Sequence, residues 1–193
     1  MNRKSEFKPL LFTTTERNPE RLKEFLSVLF KYNEEILTNE LAISISGEII
    51  KKGLYLPSKI SKNVKSKLEN NIELTNEEIQ KILMDNPQRH KEAGYEKGWP
   101  SRFDTWFKFA KEMGFVYYKI NEQIEFSGIG KNLIDYKNPD NERIAFLNAF
   151  VKYQRNNPFR RVKNENAPLL LLLNVIKLLN SDKDFNGNGI SKL

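Results

Sequence analysis

A mainly α fold with small β-hairpins, in the α+β class, is predicted by three observations. Apolar residues recur at helical spacing in several separate segments. Polar caps, prolines and glycines punctuate those segments. One stretch, Gly98–Leu133, runs helix, strand, short turn, strand and helix start. In it, Ser101 with Asp104 three residues on is an expected N-cap pair just after Pro100. Phe103, Trp106, Phe107, Ala110 and Met113 then mark one helix face, and Gly114 is the expected C-cap. Phe115–Ile120 is β-rich, Asn121-Glu122 is the expected turn, and Ile124 and Phe126 alternate on the return strand. Ser127, followed by Gly128 and Gly130, starts another helix. This is the order of parts in a winged-helix unit; the plainer alternative is an ordinary α+β core with an aromatic helix.

The preceding region, 1–97, reads as a helical region with an initial strand, Lys8–Thr15. Asn18-Pro19 starts a helix with Asn as cap and Pro at the first helical position, and Leu22, Phe25, Leu26, Leu29 and Phe30 form its stripe. A second helix is expected over Asn39–Lys52, ending at Gly53. Thr75 and Glu78 form a capping box for a short helix that Asn86-Pro87 stops. Region 98–165 holds the winged-helix-like unit and a following basic helix that Asn138-Pro139 opens. Region 166–193 holds a leucine-rich helix, expected to be buried, and the truncated start of a further element.

Charge bounds the partners. The chain has 193 residues, 32 Lys+Arg against 25 Asp+Glu and a net charge of +7, which favours an anionic partner. Lys51–Lys67 carries Lys51, Lys52, Lys59, Lys62, Lys65 and Lys67 without a carboxylate. Arg143–Lys163 carries Arg143, Lys152, Arg155, Arg160, Arg161 and Lys163, again without one. Two such stretches suit a long polyanion better than a small ligand. The bland reading of each is a solvated face. The single histidine, His90, sits between Arg89 and Lys91 and reads as a surface residue. There is no cysteine, hence no disulfide and no cysteine-based zinc site. The longest apolar run, Ala167–Ile176, is about half a membrane span, and the basic N-terminus is no signal peptide; a soluble, cytoplasmic protein without a membrane partner is expected.

Catalytic signatures are scarce. No phosphate-binding glycine loop, nucleophile elbow or histidine-based metal cluster occurs. Glu6-Phe7-Lys8 has the local spacing of a metal-dependent nuclease strand, but no Asp precedes it. Asp182, Asp184, Asn186 and Gly187 copy the first half of a calcium loop. The twelfth position is Leu193, not a bidentate Glu, so a polar turn is expected.

Two long blocks carry a family resemblance. Phe12 to Leu26, FTTTERNPERLKEFL, resembles the opening of AlwI-type type IIS restriction endonucleases. GWPSRFDTWFKFAKEMGFVYY with INEQIEFSGIGKNLI resembles the same family, more loosely continued to GISKL. The resemblance implies winged-helix-like DNA-recognition units in an N-terminal half and a PD-(D/E)xK nuclease in a C-terminal half. It thus implies the recognition part of a type II (IIS) restriction endonuclease of a restriction–modification system, with double-stranded DNA as partner. The chain ends where the recognition half would continue. A nuclease domain or subunit missing from it is therefore expected, along with no cofactor in this chain and Mg for a full-length nuclease.

On that reading the helix Ser101–Met113 or its neighbour enters the major groove and the Asn121 turn serves as a wing. Arg17, Arg21, Arg89 and Arg102 are the arginine candidates for close contact. Lys59, Lys62, Lys65, Lys108, Arg155, Arg160 and Arg161 complete the DNA-binding set. A stand-alone winged-helix DNA-binding regulator and a protein-interaction domain are the rival classes.

Overall fold

Aromatic side chains on one central helix organise the packing. The computed structural model describes residues 4–5, 18–135, 138, 140–153, 157–159, 162–163 and 167–182. The elements are β1 (Lys4–Ser5), α1 (Pro19–Phe30), α2 (Asn39–Lys51), α3 (Lys62–Glu69), α4 (Asn76–Asp85), α5 (Trp99–Glu112), β2 (Val116–Tyr117), β3 (Glu125–Phe126), α6 (Gly128–Leu133), α7 (Asp140–Val151), β4 (Val162–Lys163) and α8 (Pro168–Ser181). The expected strand Lys8–Thr15, Arg17, Arg155, Arg160, Arg161 and most of the calcium-like turn lie outside the described residues.

The local signals for α1, α2 and α4 are realised. Asn18 Oδ1 accepts the Glu20 N–H at 3.0 Å, with Pro19 in the first turn. Thr38 caps α2 through the Leu41 N–H at 3.1 Å. Thr75 and Glu78 make both bonds of the capping box. Leu22, Phe25, Leu26 and Leu29 of α1 and Ile45, Ile49 and Ile50 of α2 are buried with Phe103, Trp106 and Phe107 of α5. Phe25 meets Trp106 and Phe107 edge to face, at 5.7 and 6.1 Å between ring centroids.

Four expectations are corrected. The first concerns the start of α5, which begins at Trp99, and whose N-cap is Gly98, at φ 111°. Ser101 is buried inside the first turn, where its Oγ donates to the Glu96 carbonyl at 2.6 Å and accepts the Glu92 N–H at 3.0 Å. It ties the preceding loop to the helix and does not cap it. Gly114 does end the helix region, at φ 75°.

Second, the Asn121 turn is made, with Asn121 at φ 66° and the Glu122 N–H bonded to the Lys119 carbonyl at 3.0 Å, but it does not stand out from the fold. β2 and β3 pair antiparallel, Val116 opposite Phe126, while residues 118–124 reach across to the α1–α2 turn. Glu34 and Leu37 donate to the carbonyls of Ile124 and Glu122, and Ile124 and Asn121 return bonds to Glu35 and Leu37. Those backbone groups are spent on a distant segment, so the tip is stitched down rather than projecting as a wing.

Third, α5 has no exposed residue: each of its positions is buried or half-buried. A helix enclosed in this way has no face to lay in a groove.

Fourth, α8 is not a buried helix. Leu170, Leu173 and Leu178 are 57, 52 and 71 % exposed, because among the described elements only α7 packs closely on it.

Candidate nucleic-acid interface

Arg21 and Arg102, 81 positions apart in the chain, converge on one loop, residues 53–61 between α2 and α3. Leu54 N–H bonds back to the Ile49 carbonyl at 3.0 Å as α2 ends, and Pro57 is buried. Arg21 donates from Nη2 to the Leu54 carbonyl at 2.6 Å. Arg102 lies over the rings of Tyr55, at 5.0 Å, and Trp106, at 5.7 Å, and donates from Nη2 to the Tyr55 hydroxyl at 3.2 Å. At the far end of the loop, buried Asn86 grips the backbone of Lys59. Its Oδ1 accepts the Lys59 N–H at 2.8 Å, and its Nδ2 donates to the Lys59 carbonyl at 2.7 Å and to Ile82 at 2.9 Å. The segment that carries Arg89 therefore leaves from beside Lys59.

Past the loop, Ser61 caps α3 through the Val64 N–H at 3.2 Å, and buried Val64 anchors that helix. Lys62 and Lys65 stand exposed on it, as do Lys59 and Arg89 nearby. The run without acids in the sequence is partly neutralised in space. Lys51 pairs with Glu73 at 2.7 Å, Lys67 with Glu78 at 2.6 Å and Lys65 with Glu69 at 3.8 Å. Bonding to Lys51 and Lys67 holds the Glu73 and Glu78 carboxyls below their ordinary range, and the bond to Glu73 raises Lys51. Among the described residues Lys52, Lys59, Lys62 and Arg89 have no ion-pair partner, so they are the charges left for an anion.

Lys108 is engaged elsewhere. It pairs with Glu92 at 3.0 Å and with Asp104 at 3.7 Å, half-buried. Asp104 also accepts the Tyr118 hydroxyl at 3.1 Å. Burial pushes its carboxyl up, against the opposing pull of Lys108 and Lys111. Burial pushes Lys111 down; its ammonium donates to the Tyr118 carbonyl at 2.6 Å and lies 4.6 Å from that ring's centroid and 5.3 Å from that of Phe159. This cluster joins α5 to β2 and to residues 157–159, where Asn157 donates to the Glu112 carbonyl at 2.7 Å. Among the described residues no group of three metal-ligating side chains occurs.

The raised Asp104 has a pH consequence. Above the ordinary Asp range, from about pH 4 upward, the folded chain keeps a proton at Asp104 that the unfolded chain has released. Its contribution to stability therefore falls as pH rises towards the raised folded value. Asp104→Asn keeps an oxygen for the Tyr118 hydroxyl and should remove that fall. Melting temperatures of both proteins across the weakly acidic range check it: parallel curves would mean Asp104 does not titrate in this way.

Of the sequence candidates, then, Arg21, Arg102, Lys59, Lys62, Lys65 and Arg89 share the region around one loop, and Lys108 lies in a separate buried network. Asn86 and Tyr55 are the residues that sequence reasoning missed. Asn86-Pro87 reads as a helix stop, and the Asn side chain gives no sign of its partner 27 residues away.

The fold and this surface define a mainly helical α+β protein with a structurally clamped, lysine-bearing loop. The family model described as AlwI restriction endonuclease matches residues 111–192, less than half of the chain, and over that stretch the chain is similar to the AlwI family. The matched stretch runs from the last turn of α5 through α8, so the lysine-bearing loop precedes it. No curated protein and no solved structure matches the chain. No helix among the described residues is long and apolar enough to cross a membrane.

Proposed function

We propose that the chain is the sequence-recognising, double-stranded-DNA-binding part of a type IIS restriction endonuclease, acting in the cytoplasm within a restriction–modification system. The carrying observation is the clamped loop 53–61 with α3, where Lys59 and Lys62 lack acidic partners beside Lys65 and Arg89. Lysines on an exposed loop and helix suit phosphate contact, which fixes register without reading bases. The likeness of residues 111–192 to the AlwI restriction endonuclease family supports DNA as the substrate class. Mg-dependent cleavage would be the work of a nuclease domain or subunit to which this part delivers DNA. The likeness to a winged helix lies in the order of α5, β2, β3 and α6; the enclosed α5 favours base reading from another element.

Duplex binding should weaken steeply with salt. If about five phosphates are neutralised, log affinity should fall against log salt with a slope of about −4 to −5. Replacing Lys59, Lys62 and Lys65 by Ala should weaken cognate and scrambled duplexes alike and flatten that slope by roughly two to three units. Gel shifts across a salt series check it. An unchanged slope in the triple variant would move the interface elsewhere on the chain.

A further inference from the structure

The charges gathered at loop 53–61 serve DNA in different ways, and the surroundings of Arg102, which reaches the loop from α5, set it apart. Its guanidinium is covered by two aromatic rings, its Nε is buried without a hydrogen-bond partner, and one of its outer nitrogens is bound to the Tyr55 hydroxyl. Tyr55 in turn packs against Trp106 at 5.1 Å and Trp99 at 6.2 Å. Trp99 is itself anchored, donating from Nε1 to the Leu83 carbonyl at 3.0 Å. That carbonyl is on α4, the helix whose C-terminal Asn86 holds Lys59. One contiguous set of contacts therefore runs from α4 through the two tryptophans to Arg102 and Tyr55, and back through Asn86 to the lysine.

We infer that Arg102 and Asn86 are positioning residues for DNA binding: they hold the segment Tyr55–Lys59 in the shape that presents Lys59 and Lys62 to the phosphate backbone. Arg102 is not itself a phosphate or base contact. This rests on the reading of loop 53–61 and α3 as the DNA-facing surface. Preorganisation is the physical reason such a clamp matters. A loop already held in its bound form loses less conformational freedom on association than a free one. Arg suits the task where Lys does not, because its planar group stacks on a ring and donates in a fixed direction.

The same physics supplies the test, since Arg102→Lys keeps the charge and removes the stack. Arg102→Lys and Tyr55→Leu should each weaken duplex binding about fivefold at fixed salt. Tyr55→Phe, which keeps the ring, should bind within about twofold of the wild type. Arg102→Lys combined with Tyr55→Leu should be no weaker than either alone, the mark of one shared interaction. Amide exchange over residues 54–60 should speed up in Arg102→Lys, Tyr55→Leu and Asn86→Ala. The melting temperature of each variant shows whether loss comes from the loop or from the whole fold. Wild-type affinity in Arg102→Lys would overturn the inference, since charge alone would then suffice, and so would additive losses in the double variant. Wild-type binding by the Lys59, Lys62 and Lys65 triple variant would instead sink the assignment of the surface, and this inference with it.

Discussion

Replacing Gly130 by alanine should cost on the order of 3 kcal/mol or more and lower the melting temperature by roughly 6–12 °C. A Cβ at that position would lie 1.9 Å from the Phe115 carbonyl oxygen, 2.8 Å from its carbon and 3.1 Å from its Cα. All three atoms are backbone, so no rotamer change can clear them. The carbonyl cannot retreat cheaply either: the Ser127 N–H and Oγ both bond to it, at 3.1 and 3.2 Å, and β2 starts at the next residue. The Ser127 Oγ also caps α6 through the Gly130 N–H at 3.0 Å. Displacing α6 would thus break its cap, pull on the hairpin and loosen α7, which packs on it. Urea or thermal unfolding of the two proteins checks this, and a melting temperature within about 2 °C of the wild type would show that the helix does not approach so closely.

Trp106→Ala is the second large effect, with about 3–5 kcal/mol lost. Trp106 is 1 % exposed and sits among Phe25, Tyr55, Trp99 and the Arg102 guanidinium. Truncation removes the largest fully buried side chain of α5 and leaves a cavity between α1 and α5 that neighbouring rings cannot fill without abandoning their edge-to-face contacts. Trp106→Phe should cost far less, since it retains one ring. The chain has only two tryptophans, so Trp99 remains to report unfolding by fluorescence in either variant. A loss below about 1.5 kcal/mol for the alanine variant would contradict the packing described.

What could be read from the residues was whatever is decided within one turn of a helix. The Asn18-Pro19 start of α1, the Thr75–Glu78 box and the Gly114 stop depend on neighbours three or four positions away, and each stands where its pattern predicts. The misreadings share the opposite property. Ser101 has the composition of a cap, but Glu92 and Glu96 claim its hydroxyl, and the helix starts earlier at Gly98. Asn121-Glu122 does turn, closed by the Glu122 N–H on the Lys119 carbonyl, but its other backbone bonds go to Leu37, so it is no projecting wing. The lysine run lacks acids along the chain, while Glu73 and Glu78 arrive from the next segment and pair with two of its members. For the candidate interface, charge drew attention to the lysines of loop 53–61 and α3. The Tyr55 ring against Arg102 and the Asn86 grip on Lys59 stayed hidden, since they are contacts over 47 and 27 positions that no periodicity encodes.

The stitching of residues 118–124 to the α1–α2 turn also sets an order in time. Asn33 Oδ1 accepts the Phe126 N–H across 93 positions, and Glu34 and Leu37 wait for Ile124 and Glu122. At about 5–20 residues per second of synthesis, the turn after α1 spends on the order of ten seconds with its partner strand not yet made. For most of that interval α1 and α2 carry their buried stripes without the central aromatic helix, Trp99–Glu112, to cover them. A nascent chain halted before residue 126 should therefore bind a hydrophobic-surface chaperone, and one extended past it far enough to clear the ribosome should be released.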